Sequence, residues 1–126
     1  MCGLAGIFGY LDTDGTCASI ERMLQVQNHR GPDSDGSWYG TVQGVHVGLG
    51  FRRLKILDLS NAANQPMLSG DARFVLVFNG EIYNYLELCK ELETCGVVFQ
   101  TQGDTEVLMQ ALIVWGPTAL NRLNGM

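Results

Sequence analysis

The sequence predicts one small domain that mixes strands and helices. Three observations carry that expectation: runs of apolar, small or β-branched residues near the start and middle of the chain, two C-terminal stretches with apolar residues at helical spacing, and clusters of Gly, Pro, Asn and Asp between them. At 126 residues there is room for at most one domain. A hydrophobic fraction of 46% with 17% charged residues suits a globular core rather than a disordered chain.

Residues 3–11 read as the first strand, with glycines at 3, 6 and 9 where another backbone or a ligand can come close. Residues 12–15 have turn chemistry, and Ser19 serves as N-cap of a short helix through Ile20, Met23, Leu24 and Gln27. The octet HRGPDSDG at 29–36, with its proline, glycines and aspartates, reads as loop throughout. Residues 37–40 and 45–49 read as two strands joined by a glycine-bearing turn, and 54–59 as an extended piece after Arg52 and Arg53. Residues 61–70 form a polar loop containing Gln65-Pro66.

Residues 73–78 are the clearest strand, because five consecutive apolar side chains, Phe74 to Phe78, predict burial on both faces. Tyr85, Leu88, Cys89, Leu92 and Cys95 then fall at helical spacing and Gly96 closes the helix, which makes Cys89 and Cys95 core thiols. A second helix over 105–115 has Asp104 as its N-cap, ends at Gly116-Pro117, and is followed by a helical turn over 118–123. No repeat or low-complexity segment interrupts the chain.

Chemistry enters at the second residue. If Met1 is removed, Cys2 carries both a thiol and a free α-amine; a cysteine titrates near ~8.5 and an α-amine near ~7.7 to 8.0, so the amine can take the thiol proton without a histidine. A cysteine after methionine is also compatible with packing or chance. Arg52 and Arg53 suit either a bidentate grip on a carboxylate or solvation at the surface. Asn79 and Gly80, at the end of the apolar strand, offer two donors to an oxyanion or else a plain Asn-Gly turn. Asp104 can cap its helix and still face a ligand ammonium.

Several classes are disfavoured. A formal net charge of -5 without a basic stripe argues against nucleic acid. No apolar run approaches the ~20 residues of a membrane span and the N-terminus lacks a basic secretory flank, so no membrane partner and a cytoplasmic location are expected. Cys2, Cys17, Cys89 and Cys95 show no CxxC spacing, so disulfides are the weaker reading, and His29 and His46 lack partners for a metal, so no metal is expected. Gly48 and Gly50 do not complete a dinucleotide fingerprint.

Taken together, MCGLAGIFG at 1–9, HRGPDSDG at 29–36, RRLKILDLS at 52–60, QPM at 65–67, FNGEIYN at 78–84 and GDTEV at 103–107 resemble, in this order, the N-terminal glutaminase domain of glutamine-dependent asparagine synthetase. That domain is a class II glutamine amidotransferase of the N-terminal nucleophile hydrolase superfamily. The resemblance covers essentially the whole chain. HRGPD with NGEIYN matches the asparagine synthetase branch rather than relatives that make glucosamine phosphate or phosphoribosylamine.

The resemblance implies an α+β fold, a four-layer αββα sandwich with mainly antiparallel sheets. It also implies that Cys2 is the nucleophile on the side-chain amide of L-glutamine, that its α-amine is acid and base, and that Asn79 and Gly80 are the oxyanion donors. Arg53 corresponds to the grip on the substrate α-carboxylate, aided by backbone at Ile56 and Leu57, while Glu81 and Asp104 face the α-ammonium. No cofactor is implied for this domain; ATP and magnesium belong to a C-terminal synthetase domain that receives the ammonia, in a full-length protein expected to form a homodimer.

Two departures stand out. Phe51 occupies a position where many members have His, and the chain stops at LNGM where members continue with apolar strands, so the sandwich is expected to be truncated at its C-terminus. Two other functions remain compatible with the residues: an amidotransferase serving another carboxylate acceptor, and a non-catalytic module that binds glutamine or a partner chain.

Overall fold

The structure is a computed structural model and describes residues 2–10, 12–55 and 60–126. Helices mix with antiparallel sheet, an α+β arrangement. Strands β1 (Gly3–Gly9), β2 (Ser34–Val42) and β3 (Val45–Arg53) form an antiparallel sheet in the order β1-β3-β2, with Gly3 opposite Arg52 and Ser34 opposite Arg53. This register sets the chain that follows Arg53 beside the start of β1. The β2–β3 hairpin turns at Gln43 and Gly44, both at positive φ (51° and 80°), the two-residue turn whose twist matches its strands.

Helix α1 (Thr13–Val26) lies on one face of this sheet, where Ile20 and Leu24 pack on Ala5 and Ile7. The opposite face leaves Leu4 and Phe8 exposed. The helix starts six residues before the expected Ser19. Asp12 is its N-cap, accepting from Gly15 N–H at 2.7 Å, while the Ser19 hydroxyl donates back to the Gly15 carbonyl at 2.7 Å. Ser19 is thus an interior serine satisfied by its own helix.

The expected loop at 29–36 is only partly one: Asn28–Arg30 form a 3₁₀ turn, and β2 already begins at Ser34, captured by pairing with Arg53. The first strand stops at Gly9, before residue 11. The polar stretch at 61–70 contains a 3₁₀ turn, Asn61–Ala63, a cis Gln65–Pro66 peptide and the short strand β4 (Met67–Leu68). The expected extended piece at 54–59 falls largely outside the described residues; Leu54 and Lys55 are in no strand.

The largest departure concerns 73–78. Only Val75–Leu76 form a strand, β5, and among the described residues it pairs with β4 alone. Phe74 is exposed and the other four apolar residues are half-buried rather than covered on both faces. Pro66 offers no N–H to extend the ladder, so beyond Leu76 the main chain passes to side-chain partners.

A second core joins α2 (Tyr85–Thr94) and α3 (Asp104–Trp115), with Leu88 and Leu92 against Val107, Leu108 and Ala111, and Ile82 and Ala119 closing it. Leu92 is fully buried. Gly96 closes α2 as expected: its N–H reaches the Glu93 carbonyl at 3.0 Å and Val97 N–H reaches Leu92 at 3.1 Å, a Schellman pattern. Cys89 packs against this core, but Cys95 is exposed, since it sits at the C-cap beyond the last inward turn. In α3 the N-cap is Gly103, and Asp104 is the first helical residue with its carboxylate turned inward. The expected turn over 118–123 is the 3₁₀ segment Gly116–Arg122. No helix among the described residues is long and apolar enough to cross a membrane.

Candidate active site

The N-terminus of β1 and the chain just after β3 meet because Gly3 pairs with Arg52. There Cys2 Sγ accepts from Leu54 N–H at 3.3 Å and lies 3.6 Å from the Leu54 carbonyl. The Cys2 carbonyl accepts twice, from Arg30 Nε at 3.0 Å and from Asn79 Nδ2 at 3.1 Å. The main chain on the carbonyl side of Cys2 is therefore held.

Arg53 is buried at 7% exposure and donates from Nη1 to the Ser60 carbonyl at 2.8 Å and to Asn64 Oδ1 at 2.7 Å. These bonds fix the buried guanidinium in place beside Cys2's end of the sheet. Arg52, next to it, points elsewhere: it donates to the Leu24 carbonyl and to Asp35 Oδ1. Alternation along a strand sends neighbours to opposite faces, so the two arginines do not form one carboxylate grip. The approach is close, because a Cβ on Gly31 would collide with the Arg52 carbonyl carbon and oxygen.

On the other side the chain from Phe78 to Ile82 carries Asn79, Gly80 and Glu81. Asn79 spends one Nδ2 proton on Cys2 and has a second for another acceptor. Asp104, at 7% exposure, accepts Ile82 N–H at 3.0 Å through Oδ2. Glu106 is equally buried and accepts from Gln100 N–H, Thr101 N–H (2.6 Å) and the Thr101 hydroxyl (2.7 Å), fixing the loop before α3.

Cys2, Arg53, Asn79, Gly80, Glu81 and Asp104 line one cleft of about 90 Å³. The structure thus brings together every described residue to which the resemblance gave a site role, and leaves Arg52, the other arginine of the pair, outside. Ile56 and Leu57 lie outside the described residues. Phe51, the departure noted above, is buried at 1% exposure and helps wall the same cleft. Sequence reasoning missed Arg30, read as part of a loop, and Gln65 and Thr105, which also line it or support it; the quoted QPM and HRGPD motifs held the signal for the first two.

The four thiols are free, and among them Cys2 is the one on this cleft. Cys89 is different in kind. Burial pushes its thiol up, helped by the negative charges of Glu93 and Glu106, which favours the protonated form over the thiolate.

The comparisons with known proteins agree with one another. The chain is similar to asparagine synthetase (glutamine-hydrolyzing) 1 of Bacillus subtilis, 43% identical over all of this chain and 20% of that protein. It is similar also to asparagine synthetase (glutamine-hydrolyzing) 3 of the same organism, 33% identical over 98% of this chain and 20% of that protein. The chain therefore spans about a fifth of the length of these curated relatives. Residues 1–126 match the family described as glutamine amidotransferase domain, and with a match of that extent the chain belongs to this family.

Proposed function

We propose that the protein hydrolyses L-glutamine to glutamate and ammonia, with Cys2 as an N-terminal nucleophile. The observation that carries this reading is that a thiol, a buried cation, an amide donor and two carboxylates line one cleft. A free amino acid needs this division of labour: Arg53 takes the α-carboxylate, Asp104 and Glu81 the α-ammonium, and the side-chain amide then reaches the thiol.

The Cys2 thiolate attacks the amide carbon, and the carbonyl electrons move onto oxygen. Asn79 Nδ2, with the proton not given to Cys2, and Gly80 N–H stabilise this oxyanion. The electron pair returns, the C–N bond breaks, and the nitrogen leaves as ammonia with a proton from the Cys2 α-ammonium. Water, deprotonated by the α-amine, attacks the thioester; glutamate departs and the thiol is restored.

The fold that suits this chemistry is the four-layer αββα sandwich of N-terminal nucleophile hydrolases. The names of the relatives support asparagine synthesis as the destination for the ammonia; the family resemblance adds a synthetase domain in a longer protein that handles aspartate, ATP and magnesium. The test is intact mass together with ammonia release from glutamine, for the unaltered protein and Cys2→Ala. Loss of Met1 and abolished release in the variant are expected; retained Met1, or equal release from both, overturns the assignment. Arg53→Ala should weaken glutamine binding, and unchanged affinity removes Arg53 from the site.

A further inference from the structure

We propose that Gln65 is a positioning residue for the oxyanion donors: its carboxamide replaces a neighbouring strand and fixes the main chain of Phe78, so that Asn79 and Gly80 emerge at a set place beside Cys2. This rests on the reading of Asn79 and Gly80 given above.

The register of β4 and β5 pairs Met67 with Leu76 and Leu68 with Val75. Carried one pair further on each strand, Pro66 would face Val77, and then Gln65 would face Phe78. Pro66 has no N–H, and the main-chain ladder ends. The Gln65 side chain continues it. Oε1 accepts Phe78 N–H at 2.6 Å and Nε2 donates to the Phe78 carbonyl at 3.1 Å, so one carboxamide satisfies both polar groups of one residue as a hydrogen-bonded antiparallel partner does.

The second Nε2 proton reaches Thr105 Oγ1 at 3.3 Å, at the start of α3. Asp104, the preceding residue, holds Ile82 N–H. Asn79, Gly80 and Glu81 are therefore bracketed: Phe78 and Ile82 are each tied to the first turn of α3, one through Gln65 and one directly. Gln65 is buried at 8% exposure, and a Cβ on Gly36 would collide with its carbonyl oxygen, so β2 also presses on it. The nearest alternatives do not reproduce these bonds. Glutamate lacks the donor for the Phe78 carbonyl, asparagine is one methylene short, and methionine fills the volume without bonds.

Oxyanion donors act in the transition state and depend on placement, so disturbing their anchor lowers kcat while leaving ground-state binding largely intact. Ammonia release from glutamine is measured for the unaltered protein, Gln65→Met, Asn79→Ala and the double variant. Gln65→Met should lower kcat by about tenfold or more with KM changed by less than about threefold, and its effect should shrink at least about threefold when Asn79 is already alanine. A kcat and KM that worsen together, or full additivity with Asn79→Ala, overturns the proposal.

Gln65→Glu, which keeps the acceptor and loses the donor, is the second variant if Gln65→Met does not fold, with the same kcat signature expected. Amide hydrogen exchange on the unaltered protein needs no variant: Phe78 N–H should exchange about a hundredfold slower than a free peptide, and an unprotected amide overturns the proposal. If the unaltered protein releases no ammonia, the glutaminase reading fails, and Phe78 exchange still decides whether Gln65 holds this segment.

Discussion

On one side of the cleft Cys2 and Arg53 stand at the ends of paired strands, where β1 and β3 run side by side from Gly3 opposite Arg52 to Gly9 opposite His46. On the other side Asn79, Gly80, Glu81 and Asp104 have only one short main-chain bridge, Glu81 to Met126 in both directions at 2.9 Å and Tyr83 N–H to the Asn124 carbonyl, and otherwise depend on Gln65 on Phe78, Asp104 on Ile82, Glu106 on residues 100 and 101, and Asn84 on residues 122 and 124. A ladder spreads its anchoring over many equivalent bonds, each worth about 1 kcal/mol net. Side-chain anchors are single. The second wall should therefore be far more sensitive to individual substitutions than the first.

Glu106→Ala tests this most severely. One buried carboxylate serves Gln100 N–H, Thr101 N–H and the Thr101 hydroxyl, and its removal strands all three donors. A loss of about 3 kcal/mol is expected, read as a lowered urea midpoint at unchanged slope. A loss below about 1 kcal/mol would mean that water replaces the carboxylate and that the two walls do not differ in kind.

Asp104→Asn separates anchoring from charge. The amide oxygen still accepts from Ile82 N–H, so stability should change by less than about 1 kcal/mol. If the carboxylate faces the glutamine ammonium, KM should rise about tenfold or more, the factor that about 1.5 kcal/mol of charge-assisted bonding carries. An unchanged KM would confine Asp104 to an anchoring role.

The ladder side supplies the control. Asp35 pairs with Arg52 at 3.2 Å, but its side chain is 60% exposed. Asp35→Asn should cost less than about 1 kcal/mol and leave glutamine turnover unchanged, since Arg52 keeps its bond to the Leu24 carbonyl. A larger loss would show that the sheet too depends on single contacts.

The same division governs what the sequence made legible. β1, the β2–β3 hairpin and the two C-terminal helices follow from local pattern, because alternation, turn residues and helical spacing act within a few positions. The ends of elements were less legible: Asp12 outcompeted Ser19 as a cap, and Ser34 to Gly36 joined β2 because Arg53, distant in sequence, supplied the partner. The run 74–78 misled because its apolarity says nothing about whether Pro66 lets a neighbour pair with it. At the site, Cys2, Arg53, Asn79, Gly80 and Asp104 were candidates on their own chemistry with other readings open, and the resemblance spanning the chain gave them roles and added Glu81, whereas Gln65 and Glu106 lie inside QPM and GDTEV but act on backbone, and a residue that bonds to main chain does not declare its role by its chemistry.

The smallest expected effect lies within the second wall's own core. The Cys89 thiol is pushed above the ordinary thiol range, first by burial and then by the negative charges of Glu93 and Glu106. The folded protein therefore holds this proton more tightly than the unfolded chain, and the associated stability is intact below pH 9 and lost as pH rises through the folded thiol's range. Thermal melts at pH 8 and pH 10 should show a slightly smaller drop in Tm for Cys89→Ala than for the unaltered protein, the difference isolating this thiol from Tyr and Lys titration. Because Glu106 contributes to the raised value, any folded Glu106 variant that loses the charge, Glu106→Gln first, should shrink that difference. A Tm drop that is the same with and without Cys89 would show that desolvation does not hold the thiol protonated, and would place Cys89 nearer to solvent than its packing against α2 and α3 requires.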